Sequence, residues 1–206
     1  MKPVENSVKT HPIFTIITPT LQRASLVNTC ASVNTQTFVS WKHIVIVDQD
    51  TLNLSLLHTI RHPQRLILLC DRPHKDGGNT CRHNAWETAS GEWVIYLDDD
   101  NYLADERILE DIYATIKDVP YWALFPILRL GQRFYTNPPQ SCHVDTLNVV
   151  VRREIAQWPQ TDAYGSDGIF IEDLAKKYPY AAFPEFRPIA ILPKISFCKE
   201  DEPCPN

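Results

Sequence analysis

No stretch of the 206-residue chain approaches the roughly 18–20 consecutive apolar residues that a bilayer crossing needs, so no transmembrane segment is expected. A basic excess is missing too: 20 Lys and Arg stand against 25 Asp and Glu, a net charge of -5. Proteins that grip nucleic acid by its phosphates ordinarily carry the opposite balance, so nucleic acid is not an expected partner. Six cysteines fall at 30, 70, 81, 142, 198 and 204, and none is spaced Cys-x-x-Cys, which excludes a zinc ribbon or a thioredoxin-type motif. Their spacing is not that of a disulfide framework, and most read as buried small hydrophobes, with Cys198 and Cys204 in an exposed charged tail. The opening MKPVENSVKTHP has no apolar segment of signal-peptide type. A cytoplasmic chain is therefore expected, with attachment at a membrane surface left open. There is no internal repeat, low-complexity tract or linker.

The chain does have core-forming residues, 44% hydrophobic overall, enough for one domain. Short β-branched runs alternate with helical stretches. The runs are Ile13–Thr18, His43–Val47, Arg65–Cys70 and Trp93–Leu97. The helices between and after them cover Ala24–Thr35, Leu52–Ile60, Thr80–Ala89 and Asp105–Lys117. These runs are continuous rather than alternating, as in strands buried on both faces. Strand–helix alternation implies right-handed crossovers and a mostly parallel sheet, an α/β domain. The second half is less regular. Trp122–Leu128 and Thr146–Val151 read as strands, Phe134-Tyr135 as a piece of one, Arg152–Gln157 as a short helix, and Gly168–Tyr178 as a helix stopped by Pro179.

Ligands of open α/β sheets bind beyond the carboxyl ends of the strands. The first strand delivers Thr18-Pro19-Thr20 and then Arg23; the second delivers Asp48. After the third comes Asp76-Gly77-Gly78-Asn79, and after the fourth Asp98-Asp99-Asp100-Asn101. Three adjacent carboxylates repel one another, and a hard divalent cation relieves the repulsion. Magnesium and manganese take oxygen ligands and share their shell with phosphate oxygens, so the triplet fits a metal–diphosphate site. The competing reading is a solvated acidic turn that caps the next helix. Asp48 is open between a ligand acceptor and a turn residue. Arg82, early in a helix, gains nothing from the helix dipole and in isolation reads as a surface arginine, though it faces the same rim. His83 reads as structural, and His143 lacks a partner at metal-site spacing. Asp167 reads from spacing alone as a helix N-cap, with general base as the alternative.

ITPTLQRASLVNTCASVNTQTFVSWKHIVIVDQD resembles the opening of a family 2 glycosyltransferase. GGNTCRHNAWETASGEWVIYLDDDN resembles that family's central signature with its D-x-D-type cluster. HVDTLNVVVRREI and GSDGIFIEDL resemble its acceptor-side motifs. The resemblance runs from about 13 to 178. It implies a GT-A fold, with a nucleotide-sugar-binding half over about 13–101 and an acceptor-binding half over about 102–195 that completes the sheet. It implies a nucleoside-diphosphate sugar donor, a UDP-sugar by preference, and Mn2+ or Mg2+. By position, Thr20, Arg23 and Asp48 should line the nucleoside pocket and Arg82 should face the diphosphate or donor sugar. Asp99 should reach the ribose, Asp100 should hold the metal, and Asp98 should join it. Asp167 matches the inverting base, and His143 and Asp145 should border the acceptor, a glycan, a lipid-linked sugar or a protein glycan. The turn Thr-Leu-Gln-Arg departs from the family's usual aromatic and Asn, and Leu21 cannot hydrogen-bond a base. The chain is short after 178, as for a minimal acceptor side or one domain of a longer protein.

The expected reaction is metal-dependent transfer to an acceptor hydroxyl with inversion. A nucleotidyltransferase acting on a sugar phosphate is the alternative enzyme, but the basic Gly-rich loop usual near its first strand is missing. A phosphoryl-accepting receiver domain would need an acidic pair after the first strand, where Thr-Pro-Thr stands. A sugar-nucleotide-binding module without catalysis is the remaining alternative.

Overall fold

The computed structural model describes residues 11–161, 163 and 165–193. The first half is built of four strand–helix units in chain order. These are β1 (Phe14–Thr20), α1 (Leu26–Asn34), β2 (Trp41–Val47), α2 (Leu54–Thr59), β3 (Arg65–Leu69), α3 (Asn79–Thr88), β4 (Trp93–Tyr96), β5 (Tyr102–Leu103) and α4 (Ile108–Ile116). The second half adds β6 (Trp122–Leu124), β7 (Ile127–Arg129), β8 (Gln132–Phe134), β9 (Val149–Arg152), α5 (Ser166–Lys177), β10 (Tyr180–Ala182) and β11 (Ala190–Leu192). Seven strands form one sheet in the order β10-β6-β9-β4-β1-β2-β3. All run parallel except β9, which opposes both β4 and β6.

The continuous apolar runs bury both faces. On one face Phe14, Ile16, Ile95, Phe125 and Val150 pack against Val33 of α1 and Ile108, Leu109, Ile112 and Ile116 of α4. On the other, Ile17, Val94, Tyr96, Val149 and Val151 pack against Cys81 and Ala85 of α3 and Phe170, Ile171 and Leu174 of α5. Each Val, Leu, Ile or Phe among them contributes about 1.5–3 kcal/mol when removed from water. The chain lays β2 and β3 outward on one side of β1 and then returns to place β4 on the other. The order of strands therefore reverses between β1 and β4, and their carboxyl ends open the crevice where doubly wound sheets bind ligands.

The second half departs from its sequence pattern in three places. Trp122–Leu128 is not one strand. Pro126 has no N–H to donate, and the chain turns there into β7, which belongs to a second sheet of order β5-β11-β7-β8. Thr146–Asn148 is a 3-10 turn rather than the start of a strand. Asp145 accepts from the Leu147 N–H while the Asn148 side chain accepts from the Asp145 N–H, a reciprocal cap that forces the tight turn before β9. Arg152–Gln157 shortens to a 3-10 turn at Arg153–Ile155. Among the described cysteines, Cys30, Cys70 and Cys81 are buried and free, as expected of most of the set, whereas Cys142 is exposed and disulfide-bonded. Cys198 and Cys204 lie outside the described residues.

Candidate active site

The crevice is lined from both halves. β1 ends at Thr20, whose hydroxyl donates to Asp99 Oδ2 at 2.6 Å and accepts from the Gln22 N–H at 2.8 Å. That bond crosses the switch point and turns Asp99 inward, leaving it 5% exposed. Burial raises the Asp99 pKa, against the Thr20 hydrogen bond and the Arg23 charge, which lower it. Arg23 Nη1 donates to Asp100 Oδ2 at 3.0 Å and lies 3.4 Å from Asp99 Oδ1. Of the triplet, Asp98 and Asp100 keep side-chain exposure, 30% and 19%, and so remain within reach of a ligand in the crevice.

At the end of β2, Asp48 is buried and accepts at both oxygens, from the His74 N–H at 2.8 Å and the Lys75 N–H at 3.3 Å. It fixes the loop 71–78. That loop ends at Gly78, in the left-handed region at φ 84°, where a Cβ would sit 2.9 Å from Pro19 Cβ. Only glycine lets the start of α3 approach β1 so closely.

Arg82 is the hub of the site. Burial opposes its charge, yet Asp98, Asp167 and Asp145 together hold its pKa above the ordinary value. Its Nη2 donates to Asp98 Oδ1, its Nη1 to the Gly77 carbonyl at 2.9 Å, and its guanidinium lies 4.9 Å from the Trp158 ring centre. Asp167 stands in the first turn of α5, and Gly165, not Asp167, is the N-cap. Burial raises the Asp167 pKa, countered by the Gly168 N–H and by Arg82. Gly168 permits this approach, because a Cβ there would meet Ser141 Oγ at 2.3 Å. The tight packing brings the 141–145 segment beside α5. Asp145 is pushed up to about 7, first by burial and then by Asp98 and Asp167. Asp98 thus pairs directly with the guanidinium, and Asp145 and Asp167 feel it through charge alone. With all ionised the group would carry two excess negative charges, and a proton on Asp145 is the relief the geometry selects.

The expected residues therefore divide. Thr20, Arg23, Asp98, Asp99 and Asp100 meet at the β1/β4 crevice, and Arg82, Asp145 and Asp167 join Asp98 there. Asp48 lies at the neighbouring strand end. His143 is exposed, its Nδ1 3.3 Å from the Ser141 carbonyl. His83 Nδ1 donates to the Trp158 carbonyl at 2.7 Å, a structural role as expected. Sequence reasoning missed Asn79. Its Oδ1 accepts from Trp158 Nε1 at 3.1 Å and from the Ser166 hydroxyl at 2.6 Å, and its Nδ2 donates to the Thr161 carbonyl at 2.9 Å. This side chain ties the helix of Arg82 to the helix of Asp167. Its only signal was its place beside the two glycines. A second missed group is Asp48, Cys70 and His74, whose oxygen, sulfur and ring nitrogen lie within 4.8 Å of one another.

A doubly wound sheet with carboxylates and a buried arginine at its switch point defines a GT-A type α/β domain. Over residues 15–173 the chain matches the model of glycosyl transferase family 2, and it belongs to that family. Among solved structures it is similar to TarS of S. aureus 1–349 in complex with UDP-GlcNAc, with a TM-score of 0.72 and 16% identity over 89% of this chain and 59% of that one. Against a longer TarS structure the TM-score is 0.71 at 16% identity, covering 87% of this chain and 36% of that one. The mannosyltransferase PcManGT from Pyrobaculum calidifontis, in complex with GDP-Man and Mn2+, gives 0.65 at 14% identity, covering 89% and 57%. The likeness is one of fold, and the chain spans 36–59% of the length of these proteins. No curated protein matches the chain. Among the described residues no helix is long and apolar enough to cross a membrane.

Proposed function

We propose that the domain moves a sugar from a nucleoside-diphosphate sugar to an acceptor hydroxyl, with inversion and with Asp167 as the base. The observation that carries this reading is the convergence of Asp98, Asp145 and Asp167 on the buried Arg82 at the β1/β4 crevice. Thr20, Arg23, Asp48 and Asp99 form the nucleoside side of the pocket. Arg82 faces the diphosphate, where a guanidinium held in place before the reaction stabilises charge as it develops. The structures in complex with UDP-GlcNAc and GDP-Man support a nucleotide-sugar donor, and a UDP-sugar is the preferred one.

The exposed oxygens of Asp98 and Asp100 fit a hard divalent ion, Mn2+ or Mg2+, which prefers oxygen donors. Such an ion supplies charge neutralisation at the departing diphosphate. Arg82 and Arg23 already pair with these carboxylates, so they order the oxygens before a ligand arrives. Asp167 accepts the acceptor proton. Its raised pKa makes it a stronger base than an exposed carboxylate, and it is ionised once the pH exceeds that value. Asp145, pushed up to about 7, repels a neighbouring carboxylate less than an ordinary one would, while its Oδ1 accepts from the Leu147 N–H and the Thr146 hydroxyl. His143, exposed beside the buried Val144, borders the acceptor, which we take to be a glycan, a lipid-linked sugar or a protein glycan.

The test is Asp167→Asn, assayed for sugar transfer to acceptor or water from a panel of nucleotide sugars with Mn2+. Transfer should fall about 10²–10⁴-fold while UDP binding stays within about twofold. Near-normal transfer in this variant would remove Asp167 as the base.

A further inference from the structure

Cys70 and Cys81 lie outside the chemistry assigned above, at the base of a loop that borders it. Their sulfurs are 2.9 Å apart, about 0.9 Å beyond a bonded S–S of roughly 2.05 Å. Both are free and buried. Cys70 directly follows β3, where its N–H donates to the Val47 carbonyl at 2.9 Å. Cys81 lies in the first turn of α3, packed among the α3 and β2 core residues.

The two thiols close the root of one loop, residues 71–80, and that loop does more for the crevice than its length would indicate. The His74 and Lys75 N–H groups hold Asp48. Asp76 accepts from the Gly78 N–H, the Thr80 N–H and the Thr80 hydroxyl, which starts α3. The Gly77 carbonyl accepts from Arg82. Lys75, at φ 59°, is held in the left-handed region that side chains rarely adopt. A loop under such constraint gains order from any bond across its base.

We propose that Cys70 and Cys81 form an oxidisable dithiol whose disulfide pins the 71–80 loop against the sheet. The oxidant is a hydroperoxide small enough to reach Cys70, which retains 6% exposure where Cys81 has none. The Cys70 thiolate attacks one peroxide oxygen, the O–O bond breaks, and hydroxide leaves to give a sulfenic acid. The Cys81 sulfur then attacks the Cys70 sulfur, its proton goes to the departing hydroxide, and water leaves. Two thiols and one hydrogen peroxide become one disulfide and two waters; the sulfurs lose two electrons and the peroxide oxygens gain them. The hydrogen bond with Cys81 holds the Cys70 thiol below its ordinary value, which agrees with this order of attack. The clasp stands independently of the donor that the crevice takes.

The experiment uses the whole chain, reduced mildly and then treated with one equivalent of hydrogen peroxide. After unfolding, free thiols are alkylated and the peptides mapped by mass. A cross-linked peptide joining Cys70 to Cys81 is expected, with Cys30 alkylated as the internal control. Closing a ring of this size should raise the Tm by about 5–10 °C. Exchange of the His74 and Lys75 amide hydrogens should slow in the same sample. Neither change should occur in Cys70→Ser or Cys81→Ser, and the peptide map of the unsubstituted chain stands even if those variants fold poorly. The proposal is overturned by both thiols remaining alkylatable, by Cys70 advancing to sulfinic acid without a cross-link, or by a cross-link that leaves amide exchange unchanged. It is overturned equally if the reduced chain binds stoichiometric Zn2+ through Asp48, Cys70 and His74 and that ion, not a disulfide, orders the loop.

Discussion

Replacing Asp145 by Asn should make the protein more stable, and only above a certain pH. Asp145 has a folded pKa of about 7 against an ordinary value of 3.8. Between these values the folded state keeps a proton that the unfolded state has released. Stability is therefore greatest below about pH 4 and declines as pH rises through 7, the direction for an acid whose folded pKa is raised. Three pH units at about 1.36 kcal/mol each set an upper bound of about 4 kcal/mol. Asp145 keeps partial solvent contact, which screens the repulsion from the Asp98 and Asp167 charges, so about 2 kcal/mol is the working figure. Asn retains the Oδ1 acceptor for the Leu147 N–H and the Thr146 hydroxyl and removes only the charge. Thermal unfolding at pH 8 should show a Tm about 4–8 °C higher in Asp145→Asn. At pH 4 the two proteins should unfold within about 1 °C of each other. In the unsubstituted chain the Asp145 carboxyl carbon should titrate by NMR near pH 7. A variant less stable at pH 8, or equally stabilised at both pH values, would refute the carboxylate cluster as drawn.

Other consequences follow from the same geometry. Asn79→Ala leaves Trp158 Nε1 and the Ser166 hydroxyl without their acceptor, so urea unfolding should show a loss of about 2–4 kcal/mol; a loss under about 0.5 would deny its bridging role. Excess EDTA should reduce sugar transfer about 10²-fold or more, with recovery on adding Mn2+ or Mg2+, and full turnover under chelation would count against Asp98 and Asp100 as ligands. The acid limb of the transfer-rate profile should fall at a pH above the usual carboxylate range, because burial raises Asp167, and should be absent in Asp167→Asn.

The four strand–helix units were legible because β1, β2 and β4 are buried on both faces, with β3 half-buried at the sheet edge, and that burial writes unbroken apolar runs into the chain. Carboxylates at the ends of β2 and β4 could be placed from this alone. The second half could not be read so well. β7, β8, β10 and β11 are three residues each, too short to carry a period. Pro126 parts Trp122–Leu128 between two sheets, and Asn148, reaching back to cap its own turn, hides the 3-10 start of β9. Within the site, Asp98 and Arg82 were each visible, but their pairing depends on how α3 lies against β1 and β2. Arg82 in isolation resembled a surface residue, since nothing local to α3 offsets its charge; the offset comes from Asp98, Asp145 and Asp167, which are distant in sequence. The resemblance supplied what spacing did not, the grouping of Arg82 and Asp167 with the triplet.

The central claim is that the Asp98–Asp100 oxygens and Arg82 receive a nucleoside diphosphate at the β1/β4 crevice. Calorimetric titration of UDP and GDP, with and without Mn2+, into the unsubstituted chain and into Asp98→Asn/Asp100→Asn tests it most directly. The account predicts Mn2+-dependent binding of at least one of the two to the unsubstituted chain, weakened more than tenfold, or about 1.4 kcal/mol, in the double variant. Equal affinity in both proteins, or no binding of either nucleotide with Mn2+ present, would contradict it.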